Sequence, residues 1–374
     1  MTLTAPDEVD EPDDLRDMVR HLLEKESPVP RSRAVAEAGD GFDHELWRCL
    51  AEAGWTGLWV DELFGGAGHH GRELVIVLEE LGRHLVGGPF LSTALLGAAA
   101  LGAAGDALRR DHLPALALGE RRVALALTAA FGGHKAEPLR AVVGAGGARL
   151  DGTTRFVPDA HVADLLILHA IGDDGTERLY VVDRDQRGVD VAVEPTVDAT
   201  RRLCRVRLDG VAVPDAALVV PPERTPALVE ELVRLAAVGI AADCAGGARR
   251  ALELTVAYAK DRSQFGRAIG SFQAIKHRCA DMYLQVEGAS TVLACAAAAL
   301  DDAAATSIAK SYAADAYVSV VHDAILTHGA IGAMWEHDLH LHLKRAKLDQ
   351  VLFGSSAWHR RRIVDATFAA RRGA

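Results

Sequence analysis

The sequence predicts an α+β fold in which helices flank a middle block of strands, and three observations carry that reading. Apolar residues recur at three-to-four spacing up to about residue 120. Short Val/Leu-rich runs broken by Gly, Asp and Pro occupy about 121–222. Helical spacing then returns from about 226 to the end. The expected division is an N-terminal helical domain (1–120), a β-barrel-like, antiparallel middle domain (121–222) and a C-terminal helical bundle (223–374).

In the first zone DDLRDMVRHLLEK, FDHELWRCLAEAG and GRELVIVLEELGRHL each carry one apolar stripe. Gly54 is placed to stop the second run, and Gly65, Gly66 and Gly68 to form a turn. FLSTALLGAAALGAAG (90–105) is short and rich in Ala and Gly; it reads as a buried helix, since a membrane span needs about 20 residues. In the second zone RRVALALTAA, RAVVGAGGARLDG, ADLLILHAI, RLYVVDRDQRGVDVAVEP and LCRVRLDGVAVP have strand texture, and Pro221-Pro222 closes the zone. The third zone holds long Ala-rich helical runs beginning at PALVEELVRLAAVGIAADC.

The 374 residues, 49% hydrophobic and 25% charged, have the composition of a globular protein. A net charge of −11 argues against a nucleic-acid partner and leaves room for one phosphorylated ligand. Cys49, Cys204, Cys244, Cys279 and Cys295 are dispersed, without paired spacing, as reduced thiols would be. The acidic N-terminus lacks the apolar core of a signal peptide. No membrane association and a cytoplasmic location are therefore expected.

RSQFGRAIGSFQAIKHRCADM, from Arg262 to Met282, is a loop leading into a helix. Phe272, Ile275, Cys279, Met282 and Val286 form one stripe, and Ser271 is placed as the N-cap. A helix N-terminus beside Arg262 suits phosphate oxygens. The local chemistry equally allows Arg262 to pair with a carboxylate and the two phenylalanines to be core. The stretch closely resembles a motif of the acyl-CoA dehydrogenase family of flavoproteins. LAEAGWTGLWVDELFGGAGHHGRELVIVLEELGR is similar to that family's N-terminal segment, with Asp61 where proline is usual, and THGAIGAMWEHDLHLHLKRAK to its C-terminal helix pair.

The resemblance implies a helical domain, a β-domain and a C-terminal four-helix bundle. It also implies FAD as cofactor and α,β-dehydrogenation of an acyl-CoA or related acyl thioester. By residue matching, Arg262, Gln264, Phe265 and Gln273 become contacts to the FAD of a neighbouring subunit, so a homo- or hetero-oligomer is expected. Thr128, Phe156, Gly329, Gly332 and Ser355 fall at further cofactor positions. Electron-transfer flavoprotein is a further partner the family suggests.

The chain departs from the family where the reaction needs a base. Phe353 falls at the usual glutamate, in LDQVLFGSS, and Ala236 at the alternative one; Asp243, Glu230 and Glu231 are nearby acids out of register. Thr128 keeps its identity, but the glycine-serine-aspartate after it is absent. Pro158 replaces a flavin-contacting threonine, and Leu326 replaces a glutamine. No catalytic residue is assigned. The pattern is similar to the subunit of actinobacterial α2β2 members that completes the cofactor site of a paralogous, base-bearing subunit. EHDLHLH (336–342) has helical His spacing, but in the family no metal sits there and none is expected here.

Overall fold

The computed structural model describes residues 11–68, 71–127 and 138–373. Thr128, a predicted cofactor residue, and His69-His70 lie outside the described residues. The chain runs through α1 (Glu11–Glu26), α2 (Val29–Glu37), α3 (His44–Glu52) and α4 (Arg72–Arg83). Asp43 caps α3 by accepting from the Leu46 N–H at 3.0 Å. Gly54 (φ +78°) takes the chain out of α3. Asp61 accepts from the Leu63 N–H at 2.8 Å and so starts the tight turn Glu62–Phe64.

The Ala/Gly-rich run is helical and buried, as its composition predicts. Leu91–Gly97 is π-helical and continues into α5 (Ala98–Gly102), followed by α6 (Asp106–Ala117). Among the described residues no helix is long and apolar enough to cross a membrane.

Among the described residues seven strands follow: β1 (Val123–Ala126), β2 (Leu139–Gly144), β3 (Gly147–Pro158), β4 (Leu165–Gly172), β5 (Glu177–Asp183), β6 (Val189–Glu194) and β7 (Leu203–Pro214). They form one sheet in the order β1-β4-β2-β3-β7-β6, with β5 also paired to β4. The antiparallel expectation holds for β2–β3, β3–β7, β6–β7 and β4–β5. β4 departs from it, running parallel to both β1 and β2. After the β2–β3 hairpin the chain crosses back past β2 before entering β4, which sets the two strands in the same direction. Covered on both faces, β4 is buried at every position but Ile171, hence the unbroken LLILHA.

The last zone opens with α7 (Thr225–Asp261), which leads into a two-stranded ribbon, β8 (Ser263–Gln264) and β9 (Arg267–Ala268). Then come α8 (Gln273–Ala298), α9 (Ala303–His328), α10 (Leu339–Asp349) and α11 (Ser356–Gly373). α9 packs against α7, α8, α10 and α11, and α7 also packs on α4. Ser271 is not the N-cap of α8. It lies in a tight turn, Ile269–Ser271, and Phe272 occupies the cap position without a side-chain bond. The stripe of α8 is fully buried only from Met282 onward.

Small residues let α4 and α7 touch backbone to backbone. A Cβ added at Gly246 would overlap the Glu79 carbonyl, and one at Gly82 would overlap the Asp243 carbonyl. Gly246→Ala is therefore expected to destabilise the fold by about 3 kcal/mol, because the obstacle is backbone. Gly102→Ala, in open space at the end of α5, is expected to change stability by less than about 1 kcal/mol, upward if at all. Urea unfolding midpoints of the two variants test the contrast.

Candidate functional site

The predicted site residues divide into two groups at different places in the fold. The first surrounds a cavity of about 400 Å³ between the sheet and α10. One wall carries Leu125, Leu127, Phe156, Pro158 and Leu203, and the other runs from Lys347 through Leu352 to Ser355. A register shift between Thr154 and Val157 bulges β3, and Phe156 takes φ +60° there. Phe353 (φ +55°) and Gly354 (φ +99°) reverse the chain at the opposite wall. A Cβ at Gly354 would strike the Trp358 ring, so this turn requires glycine. The Ser355 hydroxyl accepts from the Trp358 N–H at 3.2 Å and helps to start α11.

Two buried basic side chains hold the Phe353 turn by its carbonyls. Lys310, wholly buried, donates from Nζ to the carbonyls of Asp349 (2.7 Å) and Gly354 (3.2 Å). Burial pulls its pKa down, while Cys244, Asp349 and Asp315 pull the other way. His359 Nε2 lies 3.0 Å from the Phe353 carbonyl. That oxygen can only accept, so Nε2 carries the proton and Nδ1 is free to accept from Ser307 Oγ at 3.2 Å.

Among the described residues the cavity contains no carboxylate, and Lys347 is its one titratable lining residue. Phe353, at the position the resemblance gives to the base, is buried in the wall. Ala236 is wholly buried in α7 and does not line the cavity. Asp243 is a structural anion, bonded to Arg345 Nη1 at 3.0 Å and to Arg201 Nη2 at 2.9 Å. Burial works to raise its pKa, but the two guanidinium groups outweigh that and hold it below the usual carboxylate range. Glu230 pairs with Arg362 and Arg234. Glu231 faces a different cavity, between the Trp59–Asp61 loop, α5, α6 and α7.

The second group lies at the far end of α7. Arg262, Gln264, Phe265 and Gln273 are all exposed, Phe265 to 92% and at φ +52°. The Arg262 guanidinium has no partner among the described residues. Phe265 meets Phe272 edge-on at 6.2 Å, and Arg267 stacks over Phe272 at 4.1 Å. Gly329 (φ +66°) and Gly332 sit in a tight turn after α9 beside this arm. Tyr258, whose carbonyl accepts the Arg262 N–H at 2.8 Å, stacks at 4.2 Å on His328, the neighbour of Gly329. Leu326 is 52% exposed one turn earlier.

The arm is remote from the buried network that adjoins the cavity. Asp243, bonded through Arg345 to the helix that forms one cavity wall, precedes Arg262 by 19 residues of continuous helix. That is about 28 Å at 1.5 Å per residue. The histidines of EHDLHLH serve locally: His340 Nε2 meets the Trp335 carbonyl at 2.8 Å, and His342 Nδ1 meets the Tyr317 hydroxyl at 2.7 Å. Among the described residues no three His, Cys, Asp or Glu side chains converge as a metal site would require.

Burial pushes the His359 pKa down to about 3, against an ordinary value near 6.5. The unfolded chain thus binds a proton below about pH 6.5 that the folded chain refuses until about pH 3. The stability from the neutral ring is complete above pH 6.5 and is lost as pH falls toward 3. Relative to His359→Gln, wild type should lose up to about 1.4 kcal/mol per pH unit across that window. Paired urea titrations at pH 7.5, 6.0 and 5.0 measure the difference; a constant gap between the two proteins would exclude it.

Comparison with known proteins agrees with the fold and the motifs. Residues 9–120 match the acyl-CoA dehydrogenase N-terminal domain, and residues 227–368 the acyl-CoA dehydrogenase C-terminal domain. The chain is 35% identical to the acyl-CoA dehydrogenase IpdE2 of Mycolicibacterium smegmatis over 359 residues, covering 95% of this chain and 98% of that one. Among solved structures it is similar to a chain of the ChsE4-ChsE5 complex from Mycobacterium tuberculosis, at a TM-score of 0.88 and 30% identity with 98% of each chain covered. It is also similar to a chain of a variant of the Tcur3481-Tcur3483 steroid ACAD, at a TM-score of 0.87 and 31% identity, covering 97% of this chain and 99% of that one. Fold, motifs and relatives together establish that the chain belongs to the acyl-CoA dehydrogenase family of FAD-dependent oxidoreductases.

Proposed function

We propose that this chain is one subunit of an FAD-dependent acyl-CoA dehydrogenase assembly acting on Cα and Cβ of an acyl thioester, and that it does not supply the base. The separation of its two half-sites carries this reading. Arg262 lies about 28 Å along α7 from Asp243, which is tied through Arg345 to the cavity wall, so the arm is placed to grip a diphosphate held by another chain rather than one from its own cavity. The arm serves a neighbour, and an exposed, unpartnered guanidinium flanked by Gln264 and Gln273 fits a diphosphate presented from outside. The apolar cavity fits a flat ring.

FAD bound there would supply the hydride acceptor for Cβ. The proton on Cα then needs a carboxylate near pH 7, and Phe353, Ala236 and a solvent-exposed Lys347 ammonium do not provide one. We therefore assign the base to a paralogous subunit, with Arg262, Gln264, Phe265 and Gln273 completing that subunit's flavin site. Two-component relatives such as the ChsE4-ChsE5 complex favour a hetero-oligomer over a homo-oligomer. Electron-transfer flavoprotein would take the electrons onward. A second reading, in which the chain is a purely non-catalytic partner, is favoured by Pro158: beside the ring it offers no N–H and no hydroxyl.

Purified alone, the chain is expected to turn over no acyl-CoA. Co-expressed with a dehydrogenase paralogue it should co-purify with flavin, measured by absorbance near 450 nm. Arg262→Ala should lower flavin retention by that complex about tenfold or more, the scale of a lost charge-assisted pair. Unchanged retention would sink the assignment in trans. Full turnover by the isolated chain would sink the missing base.

A further inference from the structure

The two walls of the cavity belong to different parts of the chain, and one buried side chain joins them. Arg345, wholly buried in α10, sits two residues before Lys347, where the helical wall begins. Its Nε donates to Asp198 Oδ2 at 2.8 Å, and its Nη2 to Thr200 Oγ1 at 2.6 Å. Asp198 and Thr200 lie in the loop between β6 and β7, whose Thr196 and Val197, with Leu203 at the start of β7, belong to the opposite wall. That loop is stiffened from within: the Thr200 hydroxyl donates to Asp198 Oδ1 at 2.6 Å, and the Thr196 hydroxyl to the Asp198 carbonyl at 2.7 Å. The remaining reach of the fork, Nη1 to Asp243 and Nη2 to the Val86 carbonyl at 3.2 Å, fixes the tie to α7 and to the end of α4.

We infer that Arg345 is a positioning residue that sets the distance between the two walls of the flavin cavity, acting on the ring through Asp198 and Thr200. The inference rests on the reading that this cavity takes the flavin ring. A planar fork reaching Asp198, Thr200, Asp243 and Val86 defines both spacing and angle, which the apolar faces across the cavity do not. Lysine cannot reproduce it, having one nitrogen where the fork uses three.

The test uses the full chain and lumiflavin, the ring without its ribityl and nucleotide tail, so that the Arg262 arm plays no part. Lumiflavin fluorescence quenching gives Kd, and its visible band reports the surroundings of the ring. Asp198→Asn with Thr200→Val cuts only the sheet side of the tie and leaves the Arg345–Asp243 pair in place. It is expected to raise Kd tenfold or more and to move the visible band toward that of free lumiflavin. Leu23→Ala, a core cavity in α1, serves as the control for instability and should lower the melting temperature without moving Kd or the band. Arg345→Lys should behave like the sheet-side double variant if it folds. Wild-type affinity and spectrum in the double variant would overturn the positioning role while leaving the cavity assignment intact. Failure of the wild-type chain to quench lumiflavin would overturn both.

Discussion

A guanidinium taken wholly out of water must be matched on every N–H, and the matching of Arg345 organises this molecule. Its partners come from the sheet-side loop, α7 and the chain leaving α4, so with α10 itself four segments distant in sequence are required to meet at one point. Such a network adds little stability beyond an apolar core of equal volume, but breaking it leaves uncompensated buried charge at a cost of about 3–5 kcal/mol. It therefore acts mainly as a specificity device. Asp349, beside it, is pushed well up by burial and then by the Asp243 charge, whereas Asp243 is held ionised. Two buried acids side by side resist carrying two negative charges, and the shifts accordingly run in opposite directions.

α7 carries that fixed point to the far end of the bundle. An unbroken helix of 37 residues is a rigid spacer, and it holds the Arg262 arm about 28 Å beyond the network. The arm carries Phe265 almost entirely in solvent with a left-handed backbone, and the first two turns of α8 are only partly covered. A large apolar ring kept in water beside an exposed guanidinium is costly for a lone chain and becomes favourable once another surface covers it. On the function proposed above, that rigidity presents the arm to a second chain rather than to the cavity of its own.

The order of helices and strands is legible because periodicity is a local signal, and Gly54 and the 90–105 run behave as their chemistry suggests. The parallel pairing of β4 is not legible, since it depends on a crossover that no neighbouring residue encodes. Ser271 misleads because the stretch before α8 forms its own tight turn and leaves Phe272 at the cap. The Arg345 network escapes a sequence reading because its partners lie 102 and 147 residues away along the chain. One signal for it does exist. Asp243 is a single charge inside AAVGIAADCAGGA, a run with no polar face, and a charge so placed has to be buried and paired. Its acidity alone suggests a weak base; its surroundings identify it as an anchor.

Phe353 shows how the frame of the site and its chemistry can separate. Its backbone sits at φ +55°, a conformation costing about 1 kcal/mol or more for a bulky residue, and a plain apolar wall would not need it. The turn is imposed from below, because Lys310 and His359 direct their protons to the carbonyls of Asp349, Phe353 and Gly354. That demand is blind to the side chain at 353. A carboxylate and a phenyl ring would be delivered to the same point in the cavity, the first able to take a proton and the second only to fill volume. On the function proposed above, a phenyl ring at 353 keeps the wall intact while offering no base, and the proton on Cα is then left to a group from another chain.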